Sequence, residues 1–204
     1  MNRYNFKSFL SRHLDKPEEL DLFTTLEYLP KVRDGRWIAG GAIRDTLQGL
    51  PITSDIDYFV RNKEEKERFI QEMSIEHLRA EKISENDHNI TWMVPIPKRD
   101  EKIKVQLIII NYYETLEDVL DTFDFTITQF GYDGTTLVCG EYSLWDLARR
   151  RLAIHKVTYG VSTVRRMMKY MQKGFTACGG CISTLLLEIS SNPSKIEADI
   201  QYID

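Results

Sequence analysis

Two short runs of residues carry the chemistry in this chain. They are Gly40-Gly41-Ala42-Ile43-Arg44-Asp45 and, beyond Pro51, Asp55-Ile56-Asp57. A glycine pair at a strand-to-helix turn lets backbone N–H groups approach a phosphate chain, because no Cβ stands in the way. Aspartates at i and i+2 of a strand project to one face, where two carboxylates can hold a divalent cation. Ile56 between them then points into the core. A phosphate cradle followed so closely by a metal grip points to nucleoside triphosphate chemistry. In nucleotidyl transfer a hydroxyl attacks the α-phosphorus, and two Mg2+ ions held by carboxylates neutralise the nucleophile and the leaving pyrophosphate. Asp55 and Asp57 are the expected catalytic carboxylates and metal ligands.

The elements that must position these groups are legible from periodicity and turn residues. Arg36–Ala39 reads as a short buried strand entering the Gly-Gly turn, Ala42–Gln48 as the helix after it, and Ser54–Val60 as the strand carrying the aspartates. A charged helix runs from Lys63 to about Met73. Strand-like runs follow at Glu76–Ile83, Asn89–Pro95 and Ile103–Ile110, the last two joined by a turn over Pro95-Ile96-Pro97-Lys98-Arg99-Asp100. Two amphipathic helices are expected to open the chain, near Phe6–His13 and Pro17–Tyr28.

Thr115-Leu116-Glu117-Asp118 has the form of a capping box, and Ser143-Leu144-Trp145-Asp146 is a second box-like start. Between them, Ile127–Tyr132 and Thr135–Val138 make a hairpin across Asp133-Gly134. From Ser162 the chain reads as helical. Val164, Met167, Met168 and Met171 form its apolar stripe, Arg165, Lys169 and Lys173 line another face, and Asn192-Pro193 caps a last helix. The expected organisation is N-terminal helices over 1–30, a mixed-sheet α/β (α+β) domain over 31–160 and a helical extension over 161–204.

The 204 residues, 42% hydrophobic, suffice for one buried domain and an appendage. No apolar run approaches the length of a membrane span, and the N-terminus lacks the apolar core of a secretion signal. Three cysteines make no disulfide framework, so a cytoplasmic setting is expected. Cys178-Gly179-Gly180-Cys181 has zinc-like spacing, but with few further ligands the expectation is two thiols packed around a turn. Net charge is −4, yet Arg149, Arg150, Arg151, Lys156, Arg165, Arg166, Lys169 and Lys173 lie within 25 residues that contain no acid. This +8 segment reads either as a polyanion-facing surface or as a solvated basic face.

The stretch "GGAIRDTLQGLPITSDIDYFV" resembles the head-domain motif of class II CCA-adding enzymes and bacterial poly(A) polymerases, in the DNA polymerase β-like nucleotidyltransferase superfamily. "TLEDVLDTFDFTITQFGYDG" resembles the segment containing RRDFTINA, and Asp146-Leu147 matches a Gly-x-x-Asp-Leu segment. "STVRRMMKYMQKGF" resembles the neck helix, Arg166 and Lys169 matching its two basic positions. The likeness runs in order from about Trp37 to Phe175. It implies a nucleotidyltransferase-fold mixed sheet with a helical neck. It also implies that Gly40 and Gly41 contact the triphosphate with Arg44 nearby, that Asp55 and Asp57 bind Mg2+, and that Asp124 lies near the ribose. Arg166 and Lys169 would approach the base or phosphates, and Arg149, Arg150, Arg165 and Lys173 would supply phosphate or RNA contacts.

The departures are specific. Thr122 and Phe123 replace the paired arginines, Thr128 replaces the family Asn, and no Glu-Asp-x-x-Arg template is recognisable. The strand that brings a third carboxylate in many superfamily members offers Gln106, either a weak ligand or an ordinary solvent-facing residue. The tRNA-gripping body and tail domains have no counterpart in these residues. The expected function is Mg-dependent transfer of a nucleoside monophosphate from an NTP to a hydroxyl, on an RNA 3′ end, a protein or a small molecule. The alternative is a non-catalytic nucleotide- or RNA-binding module, with a partner protein in either case an open expectation.

Overall fold

A computed structural model describes residues 1–12, 14–97 and 99–193, which fall into two compact units. Unit 1 comprises Met1–Leu120 and Phe130–Cys139, and unit 2 comprises Asp121–Gln129 and the chain from Gly140 onward.

Unit 1 is built on one mixed sheet. Its strands are β1 (Asn2–Asn5), β2 (Arg36–Ala39), β3 (Ile56–Val60), β4 (Glu81–Glu85), β5 (Asn89–Val94), β6 (Ile103–Ile108), β7 (Phe130–Tyr132) and β8 (Thr136–Cys139). They lie in the order β1-β8-β7-β2-β3-β6-β5-β4. β3 and β6 run parallel, and every other neighbouring pair is antiparallel. The helices of this unit are α1 (Phe6–Leu10), α2 (Asp21–Leu26), α3 (Gly41–Leu47), α4 (Lys63–Met73) and α5 (Leu116–Asp121), the last residue of α5 passing into unit 2.

The residues explain the layering. Ile56, Tyr58 and Val60 alternate on β3 and are fully buried, and the Tyr58 ring lies 4.8 Å from Phe69 of α4. Phe69 also meets Trp92 of β5, at 5.8 Å. α4 therefore covers one sheet face, and the odd-numbered residues of β3 project to the other. Asn62 starts α4 by accepting the Glu65 N–H at 2.9 Å, and the Thr115 box forms as its sequence predicts, with Asp118 accepting from both the Thr115 N–H and hydroxyl.

A buried charge network ties α4 to β2. The Arg36 side chain has no solvent exposure, and its guanidinium grips Glu72 bidentately at 2.6 and 2.9 Å while lying over the Phe69 ring. Glu65 is 3.3 Å away. Burial opposes the charge on Glu65, but Arg33, Arg36 and Arg68 outweigh it and hold its carboxyl below the usual range.

Unit 2 contains α6 (Ser143–Ala148), β9 (Arg151–Leu152), α7 (Gly160–Gln172), β10 (Thr176–Ala177) and α8 (Gly179–Ser191), with β9 and β10 forming a short parallel pair. No helix among the described residues is long and apolar enough to cross a membrane.

Several elements differ from their sequence expectation. Strand β1 precedes a shortened α1, and the second N-terminal helix divides into a 3-10 turn at Pro17–Glu19 and α2. The expected strand at Glu76–Ile83 is a 3-10 turn at Glu76–Leu78 followed by β4, because Arg79 adopts a left-handed φ of 48° and breaks the extended run. The first half of the expected Ile127–Tyr132 strand is a 3-10 turn at Thr126–Thr128. The Ser143 box does not form: no side chain caps α6, and Asp146 is engaged elsewhere. The last helix, expected after Asn192-Pro193, lies outside the described residues, as do His13 and Lys98 of the expected first helix and Pro95–Asp100 turn.

Replacing Arg36 with Met leaves Glu72 and Glu65 without their buried cation, and urea denaturation is expected to show a loss of about 3 kcal/mol. Breaking the exposed Arg61–Asp34 pair by Arg61→Ala is expected to cost less than ~1 kcal/mol. Glu65 has a depressed folded-state pKa, so its stabilisation is complete above roughly pH 4.5 and is lost as pH falls through that lowered value.

Candidate nucleotide and metal site

The Gly-Gly turn sits between β2 and α3. Gly40 has φ +92°, a conformation that favours glycine, and its N–H donates to Phe130 O at 2.8 Å. Gly41 opens α3. A Cβ there would stand 2.5 Å from Ser54 Oγ and 2.6 Å from Ser54 Cβ, so this position has room only for hydrogen.

Arg44, expected beside the triphosphate, is 2% exposed and turned inward onto Asp45. Its Nη2 and Nε donate to Asp45 Oδ1 at 2.8 and 3.2 Å. Asp45 Oδ2 in turn accepts from the Thr53 N–H, the Thr53 hydroxyl and the Ser54 hydroxyl, at 3.1–3.3 Å. One buried carboxylate thus clamps the Gly-Gly helix to the loop that delivers Asp55.

Asp55 stands immediately before β3, and Asp57 lies within it on the face away from α4. Parallel pairing sets Asp57 opposite Gln106 and Ile56 opposite Val105. Lys104, two residues before Gln106, shares its face, and Lys104 Nζ lies 2.9 Å from Asp55 Oδ2 with both side chains partly exposed. The face therefore gathers two carboxylates, an amide and an ammonium. Among the described residues no three His, Cys, Asp or Glu side chains are grouped to hold a metal ion. The carboxylates of Asp55 and Asp57 with the Gln106 amide oxygen form a set of hard oxygen donors. Such a set fits Mg2+ when water and phosphate oxygens complete the shell.

The other expected residues belong to unit 2. Asp124 is 5% exposed, and its Oδ2 accepts from the Thr163 hydroxyl at 3.0 Å and from Arg166 Nη1 at 2.5 Å. Tyr170 packs edge-on against Phe125, at 5.6 Å. These anchors orient α7, and they correct its expected apolar stripe: Ser162, Thr163 and Tyr170 are buried, while Met168 is 57% and Met171 48% exposed. The fully buried Asp146 accepts from the Thr126 hydroxyl at 2.7 Å and Arg151 Nε at 2.8 Å.

Arg149 lies 3.7 Å from the Trp145 ring centroid, and Arg150 takes a left-handed φ of 51°. Arg165 and Lys169 are exposed on α7, and Lys173, half-buried, caps its C-terminus. Cys178, exposed at the start of α8, has its thiol pKa lowered by the N–H groups of Cys181 and Gly180, whereas burial pushes Cys139 in unit 1 up to about 11. Lys104 and Thr163 are not singled out by the sequence, and Asp45, although part of the Gly-Gly run, shows its clamping role only in the structure. A polar residue two positions before Gln106 was the available signal for Lys104, but only the register with β3 gives it meaning.

The fold of the chain is similar to that of CCA-adding enzymes. A Thermotoga maritima CCA-adding enzyme complexed with tRNA superposes with a TM-score of 0.62 at 17% identity, covering 94% of this chain and 47% of that one. A CCA-adding enzyme in complex with ATP gives 0.64 at 16%, covering 96% and 48%. The Bacillus stearothermophilus CCA-adding enzyme in complex with CTP gives 0.53 at 17%, covering 81% and 42%. The chain spans about half the length of these structures or less. The chain belongs to the Gabija anti-defense 2 (Gad2) family, whose profile matches residues 1–150. No curated protein sequence matches it.

Gly41→Ala is expected to lower stability by about 1–3 kcal/mol through the collision with Ser54. Adding Ser54→Gly removes both colliding atoms, so the double mutant should be more stable than the two separate losses together predict, as thermal melts of the four proteins would show.

Proposed function

We propose that this protein is a Mg-dependent nucleotidyltransferase that moves a nucleoside monophosphate from an NTP to a hydroxyl acceptor. The observation that carries the reading is the pair Asp55 and Asp57 at the head of β3, held behind a Gly-Gly turn whose geometry is locked by Asp45. The structures it is similar to include complexes with ATP, CTP and tRNA, which supports NTP as substrate and a polyanion as neighbour.

In this reading Asp55 and Asp57 would hold Mg2+, which when bound would supply Lewis-acid activation and charge neutralisation at the leaving pyrophosphate. The first N–H groups of α3, which have no intrahelical acceptor, meet the triphosphate beside Gly40 and Gly41. Arg44 acts on the site through Asp45, holding the loop before Asp55 in place rather than touching the nucleotide. Asp124, held by Thr163 and Arg166, is assigned to the nucleotide sugar, and Lys169 to the base or phosphates. Arg149, Arg150, Arg165 and Lys173 supply charge for a phosphate-bearing acceptor. The family's name sets its members against the Gabija defence, and the transferred nucleotide is the means we assign to that effect.

One observation favours a second reading, a nucleotide-binding module without turnover. Gln106 stands opposite Asp57 and Lys104 meets Asp55, so the face carries less negative charge than a carboxylate triad would.

Incubation with each α-labelled NTP and Mg2+, with and without total RNA and the Gabija proteins, separates the two. Label on RNA, on a protein band or on the chain itself supports transfer. Saturable Mg-dependent NTP binding with no label anywhere supports the binding module. Asp55→Ala and Asp57→Ala are expected to abolish transfer while leaving the melting curve within a few degrees of wild type. Wild-type transfer by either would remove the carboxylates from the mechanism. Lys169→Ala is expected to raise the NTP KM several-fold with little change in stability.

A further inference from the structure

We propose that Lys104 guards Asp55 against free divalent cations, so that the metal ion enters this site only together with the triphosphate, and as one ion rather than two. The inference rests on the nucleotidyltransferase reading and concerns how that site is loaded.

The geometry is a consequence of one register. β3 and β6 pair in parallel with Asp57 opposite Gln106, which places Lys104 beside the residue preceding Ile56. Lys104 Nζ then lies 2.9 Å from Asp55 Oδ2, within ion-pair range. The neighbouring antiparallel strand contributes Thr91 opposite Gln106 and Met93 opposite Lys104, neither of which carries charge. Among the described residues of β3, β5 and β6 and the residue before β3, the charges on this face are Asp55 and Asp57 against Lys104, a net of −1, where a third carboxylate in place of Gln106 and no lysine would make −3; Glu81 of β4, beyond them, is paired with Lys102.

Divalent-ion affinity depends on the number of anionic ligands, and Mg2+ gives up its hydration shell reluctantly. A bare ion approaching Asp55 must displace an ammonium already seated on its carboxylate and gains only one further anionic ligand, Asp57. An ion carried by a triphosphate brings its own anionic oxygens. Those oxygens also give Lys104 a second acceptor, so the lysine can leave Asp55 without losing its counter-charge. Free ions are disfavoured, nucleotide-borne ions are admitted, and the ammonium remains as the second cation of the site.

The test is Mn2+ binding, followed by electron paramagnetic resonance, on the full chain with and without a non-hydrolysable ATP analogue. Wild type is expected to bind free Mn2+ weakly, in the millimolar range, and to bind one ion per chain once the analogue is present. Lys104→Met is expected to bind free Mn2+ roughly fivefold tighter or more, whereas Lys104→Arg, which keeps the charge, stays weak. Asp55→Asn should abolish the difference between wild type and Lys104→Met. Unchanged affinity in Lys104→Met overturns the proposal, as does micromolar binding of free Mn2+ or two ions per chain in wild type.

Label transfer measured in parallel keeps the two readings apart. Transfer by wild type with no effect of Lys104→Met removes the guard and leaves the enzyme. Tighter Mn2+ binding in Lys104→Met without any transfer by wild type keeps the guard and removes the enzyme. Lys104 is partly exposed, so the variants are expected to melt close to wild type and to remain interpretable.

Discussion

A single parallel ladder, Ile56–Phe59 against Val105–Ile108, sets the chemistry of this molecule. Parallel pairing cannot be made by a tight turn, so the chain between β3 and β6 must leave the sheet edge, form α4 and return through β4 and β5. That excursion places Phe69 over Tyr58 and Trp92, burying one face. The opposite face is left for Asp57, Gln106 and Lys104. A slip of one residue in this pairing would exchange the two faces, sending Lys104 and Gln106 into the core and Val105 and Leu107 toward the site. The apolar pattern on β6, with Ile103, Val105 and Leu107 buried, is what forbids the slip.

Charge at the two ends of β3 is handled in contrasting ways. Arg36 and Glu72 are paired under α4 and serve cohesion. Arg44 and Asp45 are also paired and buried, but Asp45 spends its second oxygen on the Thr53–Ser54 loop, so their job is placement. Asp124 plays the corresponding part within unit 2, fastening α7 through Thr163 and Arg166. Asp45 and Asp124 are buried carboxylates satisfied by several donors, the condition under which such a group is tolerated away from water, whereas in the first pair it is the Arg36 guanidinium that is buried and Glu72 that is partly exposed.

How far the sequence carried the reading follows from what each element depends on. β2 and α4 were legible in the sequence, because a short buried run before Gly-Gly and a charged helical run are local signals, and the structure adds the Asn62 cap that starts the helix. β1 was not, since Asn2-Arg3-Tyr4-Asn5 shows no alternation and is a strand only through its main-chain pairing with β8. The stripe on α7 misled for a related reason. Periodicity counts methionines, yet the buried side of this helix is decided by Thr163 and Arg166 finding Asp124, a partner 39 residues or more away. Asp55 and Asp57 stood out at once, while Lys104 did not, because its meaning lies in a neighbour 49 positions earlier.

The two units are interleaved along the chain, and this constrains how the protein can be divided. The β7–β8 hairpin belongs to the sheet, yet it is threaded between Asp121–Gln129 and Gly140, both parts of the other unit. A cut after Leu120 would remove β7, the outer neighbour of β2, and β8, the partner of β1, leaving the edge next to the glycine turn open and the N-terminal strand with nothing to pair. No single peptide bond separates a whole sheet from a whole second unit. The same interleaving acts during synthesis. β1 is made before its partner β8, so its polar Asn2–Asn5 segment waits unpaired until residues 136–139 follow, a role for which a sticky apolar strand would be a poor choice.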